Sequence, residues 1–163
     1  MTRFAEVVHH EWIAAAPAQV RAQFADLDHH VQANVHPKLR FEVLERRPDG
    51  ARFVQEVSLL GILQRDVFER RIAADGSIDD LSVEGFNQGG SLRFRFEPKA
   101  RDGQAGTEVA ITIRLPLPPV IGPVIEPLLR WQVRKEVQAA ALEDKFDLEQ
   151  RGYPAAAPRM VAA

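Results

Sequence analysis

The stretch that decides the fold is IAAAPAQVRAQFADLDHHVQANVHPKLRFEVLE, residues 13–45. Pro17 suits the first turn of a helix, because the N–H group that proline lacks would have no helical partner there. Apolar residues then recur at the helical spacing i, i+4 and i+7: Val20, Phe24 and Leu27. Asp28 is expected to cap a second short helical segment, which Pro37 should end by about residue 35. The stretch therefore predicts two short helices followed by a strand.

The chain on both sides of this stretch has the character of a β-sheet. Residues 2–15 mix Val, Ile and Trp with polar residues and predict a first strand. Between residues 39 and 117, turn signals rich in Gly, Asp and Pro recur at strand-like intervals, which predicts about six further strands joined by hairpins. Two of these strands alternate cleanly, and their apolar positions are Leu92, Phe94, Phe96, Val109, Ile111, Ile113 and Leu115.

The middle strands alternate less well than the last two. Gln55, Gln64 and Asp66 stand close to apolar neighbours in the sequence. Two interpretations are open: polar groups on the concave side of a curved sheet, or irregularity at a sheet edge. The second interpretation is preferred here.

The segment from about residue 124 to residue 150 predicts one long helix, since it contains no Gly and no Pro after Pro127. One apolar stripe, with Asp144 in its middle, comprises Leu129, Val133, Val137, Ala140, Ala141 and Leu148. A second, opposite stripe comprises Leu128, Trp131, Ala139, Leu142 and Phe146. A helix that is apolar on both sides is expected to be sandwiched. Residues 153–163 lack periodicity and predict a loose tail.

Composition excludes several classes of protein. The 21 Lys and Arg residues nearly balance the 23 Asp and Glu residues, so no overall charge attracts nucleic acid or anionic lipid. The absence of cysteine excludes disulfides, thiol nucleophiles and thiolate metal sites. The sequence contains no run of eighteen apolar residues, so it predicts no membrane span. We therefore expect a cytoplasmic protein without a membrane span and without a nucleic-acid partner.

The order of elements resembles the START-like helix-grip superfamily, to which the polyketide cyclase/dehydrase and lipid-transport group belongs. Residues 13–45 are similar to the family's entry pattern of an Ala-Pro helix start, an Asp-Leu helix end, a Pro and a strand of the FEVLE kind. The resemblance implies an α+β fold in which about seven antiparallel strands wrap around the closing helix, as one ligand-binding domain over residues 1–152. It also implies an elongated apolar cavity and a small hydrophobic or amphipathic partner.

Three of the five histidines lie within eight positions, at His29, His30 and His36. Exposure to solvent is the favoured interpretation for His29 and His30, and a place at the lip of the cavity comes next. Asp144 is expected to reach water or an arginine; the alternative is a cavity carboxylate with a raised pKa that acts as an acid or base.

A metal site made of His29 or His30, His36 and Asp144 is a further hypothesis. Such a site needs three or more ligands that converge within about 2.0–2.2 Å of one point. Because Pro37 should place His36 on the second strand, while His29 lies on a short segment with little apolar anchorage, convergence is not expected. The sequence therefore predicts no metal and no cofactor.

The predicted function is non-covalent binding or transport of a small apolar or amphipathic ligand such as a lipid, quinone or polyketide-like molecule. A cyclase, dehydratase or isomerase that uses His or Asp acid-base chemistry is the alternative, followed by a metal-dependent enzyme and a protein-interaction module. A homodimer is also left open. The candidate ligand-binding residues are His29, His30, His36, Phe94, Ile111, Ile113, Val133, Val137 and Asp144.

Overall fold

One curved antiparallel sheet of seven strands carries the fold, and the computed structural model describes residues 1–153 of the chain. Along the sheet the strands lie in the order β1-β7-β6-β5-β4-β3-β2. The strands are β1 Phe4–Ile13, β2 Arg40–Arg47, β3 Gly50–Leu59, β4 Ile62–Ile72, β5 Ile78–Gly85, β6 Ser91–Pro98 and β7 Thr107–Pro116. The helices are α1 Pro17–Ala25, α2 Leu27–Gln32 and α3 Gly122–Phe146, the last continued by a π-helical turn, Asp147–Arg151. This arrangement confirms the predicted helix-grip α+β fold.

Local irregularities curve the sheet around α3. The strand register shifts between Val43 and Glu45 and again between Val67 and Phe68, and such bulges bend a strand and increase its twist. Gly85 ends β5 with a φ of +120°, and a Cβ atom there would lie 2.3 Å from the carbonyl oxygen of Arg65. Only glycine fits this close approach, which holds the end of β5 against β4.

The two short helices follow the prediction except for one cap. Pro17 begins α1, as its sequence position suggests. The N-cap of α2 is Asp26, whose side chain accepts a hydrogen bond of 2.9 Å from the backbone N–H of His29. The predicted cap, Asp28, lies inside the first turn and instead forms an ion pair with Arg46. The cap moves back two residues because α2 begins directly after α1, at Leu27.

Helix α3 lies against the concave face of the sheet through its predicted inner stripe. Buried residues on this stripe are Leu129, Val133, Val137, Ala141 and Asp144. The prediction that α3 is sandwiched is wrong for the described chain, because the opposite stripe faces solvent. The exposed fractions on that side are 54% for Leu128, 56% for Trp131, 48% for Leu142 and 52% for Phe146.

The C-terminal end of the described chain contacts the start of the fold. The π-helical turn buries Asp147 and Leu148. Tyr153, the first residue of the predicted tail, packs on the core, and its hydroxyl donates a hydrogen bond of 2.9 Å to the Asp26 carboxylate. The remainder of the predicted tail lies outside the described residues. Among the described helices, none is long and apolar enough to cross a membrane.

Candidate functional site

A cavity of about 150 Å³ lies between the concave face of the sheet and α3. Eight of the nine predicted ligand-binding residues line it: His30, His36, Phe94, Ile111, Ile113, Val133, Val137 and Asp144. His29 is the exception, because its side chain turns away from the cavity towards Asp147. The exposed Lys38 is also a lining residue and marks a side on which the cavity reaches solvent.

One polar part of the cavity wall is a cluster of three buried side chains from three separate elements. His30 comes from α2, His36 from the loop before β2, and Asp144 from the last turn of α3. The Nε2 atom of His30 lies 3.1 Å from Oδ1 of Asp144, and the Nε2 atom of His36 lies 3.4 Å from the same oxygen. We call these three residues the His-His-Asp cluster.

Two expectations about this cluster are corrected by the structure. Exposure of His30 to solvent was the favoured interpretation, but His30 is buried. Asp144 is also buried and pairs with the two imidazoles and with Gln23, whose amide donates a hydrogen bond of 3.0 Å to Oδ1. The sequence predicted an arginine or water as its partner. This prediction is wrong because two histidines that are distant in the sequence meet this position of α3.

The electrostatics of Asp144 also differ from the alternative drawn from the sequence. Burial by itself raises the pKa of the Asp144 carboxyl, because the charged form loses its solvation. The charge of His36 and hydrogen bonds from His30 and His36 outweigh this effect. The pKa of Asp144 therefore lies below its usual range, and the group is a carboxylate at neutral pH. The alternative with a raised pKa is wrong.

His36 is the least completely paired member of the cluster. Burial lowers the pKa of its imidazole, but the negative charges of Asp144 and Glu143 raise it above the usual value for histidine. Its Nδ1 atom lies 3.7 Å from Oε1 of Glu143, which is too long for a hydrogen bond. Among the described residues this buried nitrogen therefore has no hydrogen-bond partner.

A second layer of side chains holds the cluster in place. The Nδ1 atom of His30 lies 2.7 Å from the backbone carbonyl oxygen of Asp26, which can only accept, so Nδ1 carries a proton. The Gln23 amide reaches both Asp144 and, at 3.1 Å, Asp147. The Nε2 atom of His29 lies 2.7 Å from Asp147, so His29 supports the neighbouring acid and not the cluster itself.

A set of polar residues lies on the concave face of the middle strands, which was the less favoured of the two interpretations drawn from the sequence. Gln64 and Asp66 are buried, and Asp66 lines the cavity, so the preferred interpretation of edge irregularity is wrong. Asp66 accepts hydrogen bonds from Asn87 and Ser82. Arg70 and Asp80 form a buried ion pair beside them. The broken alternation in β3 and β4 was the signal, and it marked inward-facing polar groups.

The cluster has the composition of a metal site as well as that of an acid-base pair. Its three ligand atoms all lie within 4.8 Å of one another. The prediction that these residues do not converge is therefore wrong for His30, His36 and Asp144, because the loop before β2 turns His36 back towards α3. The expectation that no metal binds remains a prediction.

Comparisons with known proteins bear on the fold alone. No protein-family model matches the chain. No curated protein matches it either. Solved structures do match over most of the chain. The protein TTHA0849 from Thermus thermophilus is 20% identical, with a TM-score of 0.75 over 93% of this chain and 99% of that one.

Two further solved structures carry names that describe their type. A START superfamily protein from Mycobacterium smegmatis is 20% identical and has a TM-score of 0.66 over 85% of this chain and 94% of its own. The Zhui aromatase/cyclase from a Streptomyces species is 16% identical and has a TM-score of 0.69 over 92% of this chain and 99% of its own. With its seven-stranded sheet, two short helices and long closing helix, the chain has the START-like helix-grip fold.

Proposed function

We propose that the protein binds a small amphipathic molecule in the cavity between the sheet and α3. The observation that carries this proposal is a mostly apolar cavity wall that also carries buried polar groups. Aromatic and aliphatic side chains, among them Phe94, Ile111 and Val137, line most of the wall, and the His-His-Asp cluster lies at one place on it. A ligand with an apolar body and one polar group would suit this wall, since apolar pockets orient ligands through a few polar groups.

The size of the cavity restricts the ligand. A volume of about 150 Å³ is that of an apolar protein cavity known to accept a single benzene ring. A ring-sized molecule, or the ring of a quinone or polyketide-like compound, would therefore enter without rearrangement. A lipid chain would require the lining side chains to move apart.

Binding of a fluorescent apolar probe tests this function. Val137→Trp places an indole in the cavity and should abolish uptake of the probe while the protein stays folded. Gln138→Trp is the matched control, because the neighbouring Gln138 is exposed on the outer side of α3 and its substitution should leave uptake unchanged. No uptake by the wild-type protein, or equal uptake by both variants, would refute binding in this cavity.

An acid-base enzyme is the second candidate, and the pairing of two buried imidazoles with one carboxylate favours it. Such a pair beside an apolar cavity could move a proton at a carbon next to a ketone, the step that cyclases, dehydratases and isomerases share. Exchange of these protons for deuterium in a small cyclic ketone, followed by NMR, tests this activity. Exchange that is no faster with wild type than with His36→Gln would exclude it.

A further inference from the structure

The geometry points to a binding site for one divalent transition-metal ion at the His-His-Asp cluster, with His30 Nε2, His36 Nε2 and Asp144 Oδ1 as the protein ligands. Two ligands that each lie about 2.0–2.2 Å from one ion, at tetrahedral or octahedral angles, are separated by about 3.0–3.5 Å. The two imidazole nitrogens lie 3.1 and 3.4 Å from the Asp144 oxygen. All three ligand atoms lie within 4.8 Å of one another, so the two imidazoles would approach each other when an ion binds.

The protonation pattern of His30 supports a cation at this point. Its Nδ1 atom carries a proton, because its neighbour there is the carbonyl oxygen of Asp26. In a neutral ring, Nε2 then presents a lone pair to Asp144 Oδ1, which is itself an acceptor. Either a second proton on the ring or a metal ion removes this conflict. The contact with Asp26 is also the backbone hydrogen bond that commonly orients a metal-bound histidine.

His36 provides an independent observation. It is only 7% exposed, and its Nδ1 atom has no hydrogen-bond partner among the described residues. Its Nε2 atom nevertheless points at the same carboxylate oxygen as that of His30. Two imidazoles, with ring centres 5.2 Å apart, thus share one buried acceptor. Two imidazole nitrogens and one carboxylate oxygen are together a ligand set that suits a divalent transition-metal ion.

The surroundings determine which kind of ion fits and what it would do. Two nitrogen ligands and one carboxylate favour zinc, cobalt, nickel or iron(II) over magnesium and calcium, which prefer oxygen. The Gln23 amide holds Asp144 in orientation from behind. All three ligands also line the cavity, so the positions that they leave open on the ion face the ligand space. An oxygen atom of a bound molecule would complete the coordination there.

This last role deepens the proposed function and depends on it, but ion binding is measured by itself. Untagged wild-type protein, freed of metal by chelation, is titrated with Co²⁺ in the absence of any apolar ligand. We expect one equivalent to bind, with visible absorption bands that added Zn²⁺ abolishes. X-ray absorption on the wild-type complex should show two imidazoles around the cobalt. This second measurement requires no variant.

Variants locate the ion. His30→Gln, His36→Gln and Asp144→Asn should each weaken Co²⁺ binding by more than about 100-fold, because loss of a ligand costs more than the 10–100-fold typical of an outer partner. His29→Gln is the matched control: it removes the neighbouring histidine of α2, which contacts Asp147, and should retain cobalt. Circular dichroism verifies that each variant is folded.

Several outcomes would overturn the metal site. The first is that wild type binds no ion in excess Co²⁺. The second is that X-ray absorption shows no imidazole around the cobalt. The third is that His36→Gln binds Co²⁺ with unchanged affinity, which would place the ion elsewhere on the protein. Uptake of the fluorescent probe without cobalt binding would refute the metal site and leave the proposed ligand binding intact. Cobalt binding without probe uptake would refute the proposed ligand binding and leave the metal site intact.

Discussion

Arg70 and Asp80 form a buried two-point ion pair between the neighbouring strands β4 and β5. The Nε and Nη2 atoms of Arg70 donate hydrogen bonds of 2.8 Å each to the two carboxylate oxygens of Asp80. A third donor of the same guanidinium reaches the backbone carbonyl oxygen of Phe24 at 2.9 Å. The pair thus connects the sheet to the end of α1, and both residues line the same cavity as the His-His-Asp cluster.

Breaking this pair is expected to destabilise the fold strongly. Asp80→Ala leaves an unpaired guanidinium in a buried site and should lower the free energy of unfolding by about 3–5 kcal/mol. Asp79→Ala is the matched control, because Asp79 pairs with Arg95 on the exposed face of the same strand and should cost less than about 1 kcal/mol. Urea denaturation measures both values. Equal losses would contradict the assignment of Arg70 and Asp80 as a buried pair.

Leu128 and Leu129 are adjacent in α3 but belong to its two opposite stripes, so they provide a second matched pair of substitutions. Leu129 is buried against the sheet, and Leu129→Ala should cost about 2–5 kcal/mol through lost contacts and a cavity. Leu128 is 54% exposed, and Leu128→Ala should change stability by less than about 0.5 kcal/mol. Thermal or urea unfolding distinguishes them. A large, concentration-dependent cost of Leu128→Ala would instead show that the outer stripe is covered in a homodimer, which remains a prediction from the sequence.

Tyr153 gives a pH dependence that can be measured directly, because it is the only tyrosine in the chain. Burial and the hydrogen bond and charge of Asp26 raise its pKa from 10.0 to about 12. The raised pKa means that the folded state binds the phenol proton more tightly than the unfolded state does. The stability it contributes is therefore present below pH 10 and is lost as the pH rises towards 12.

Spectroscopic titration of the phenolate checks this expectation in the folded protein. Unfolding measured in urea between pH 10 and 12 should decline more steeply for wild type than for Tyr153→Phe. Parallel declines, or a phenolate midpoint near 10 while the protein is still folded, would show that Tyr153 is not held as described.

Two truncations that differ by two residues test the boundary of the predicted tail. Removal of the chain after Pro154 is expected to change the midpoint of thermal unfolding little, since that segment has no periodicity or caps in its sequence. Removal after Gly152 also takes away Tyr153, whose ring packs at 4.7 Å from that of His29, and should lower the midpoint. A drop of many degrees for the protein that ends at Pro154 would show that the residues after it pack on the core.

The sequence alone determined the elements and most of the buried faces. The 3.6-residue period of α3 identified Val133 and Val137, and the two-residue period of β6 and β7 identified Phe94, Ile111 and Ile113, as inward-facing. These predictions succeeded because the backbone geometry of an isolated helix or strand already decides which side chains share a face. Such a pattern says which face is apolar, but not what covers it, and the outer stripe of α3 was therefore misjudged.

Only the tertiary structure decided how the polar residues combine. His30 and Asp144 are 114 residues apart in the chain, and their contact depends on the curvature of the sheet, the end of α2 and the turn before β2. None of these has a periodic signature in the sequence. Asp66 and Arg70 likewise have no periodic signature. They point inward because of strand pairing, and in the local sequence they only interrupt the apolar alternation. Local periodicity encodes burial, whereas the meeting of distant polar groups depends on the register and bending of the whole sheet.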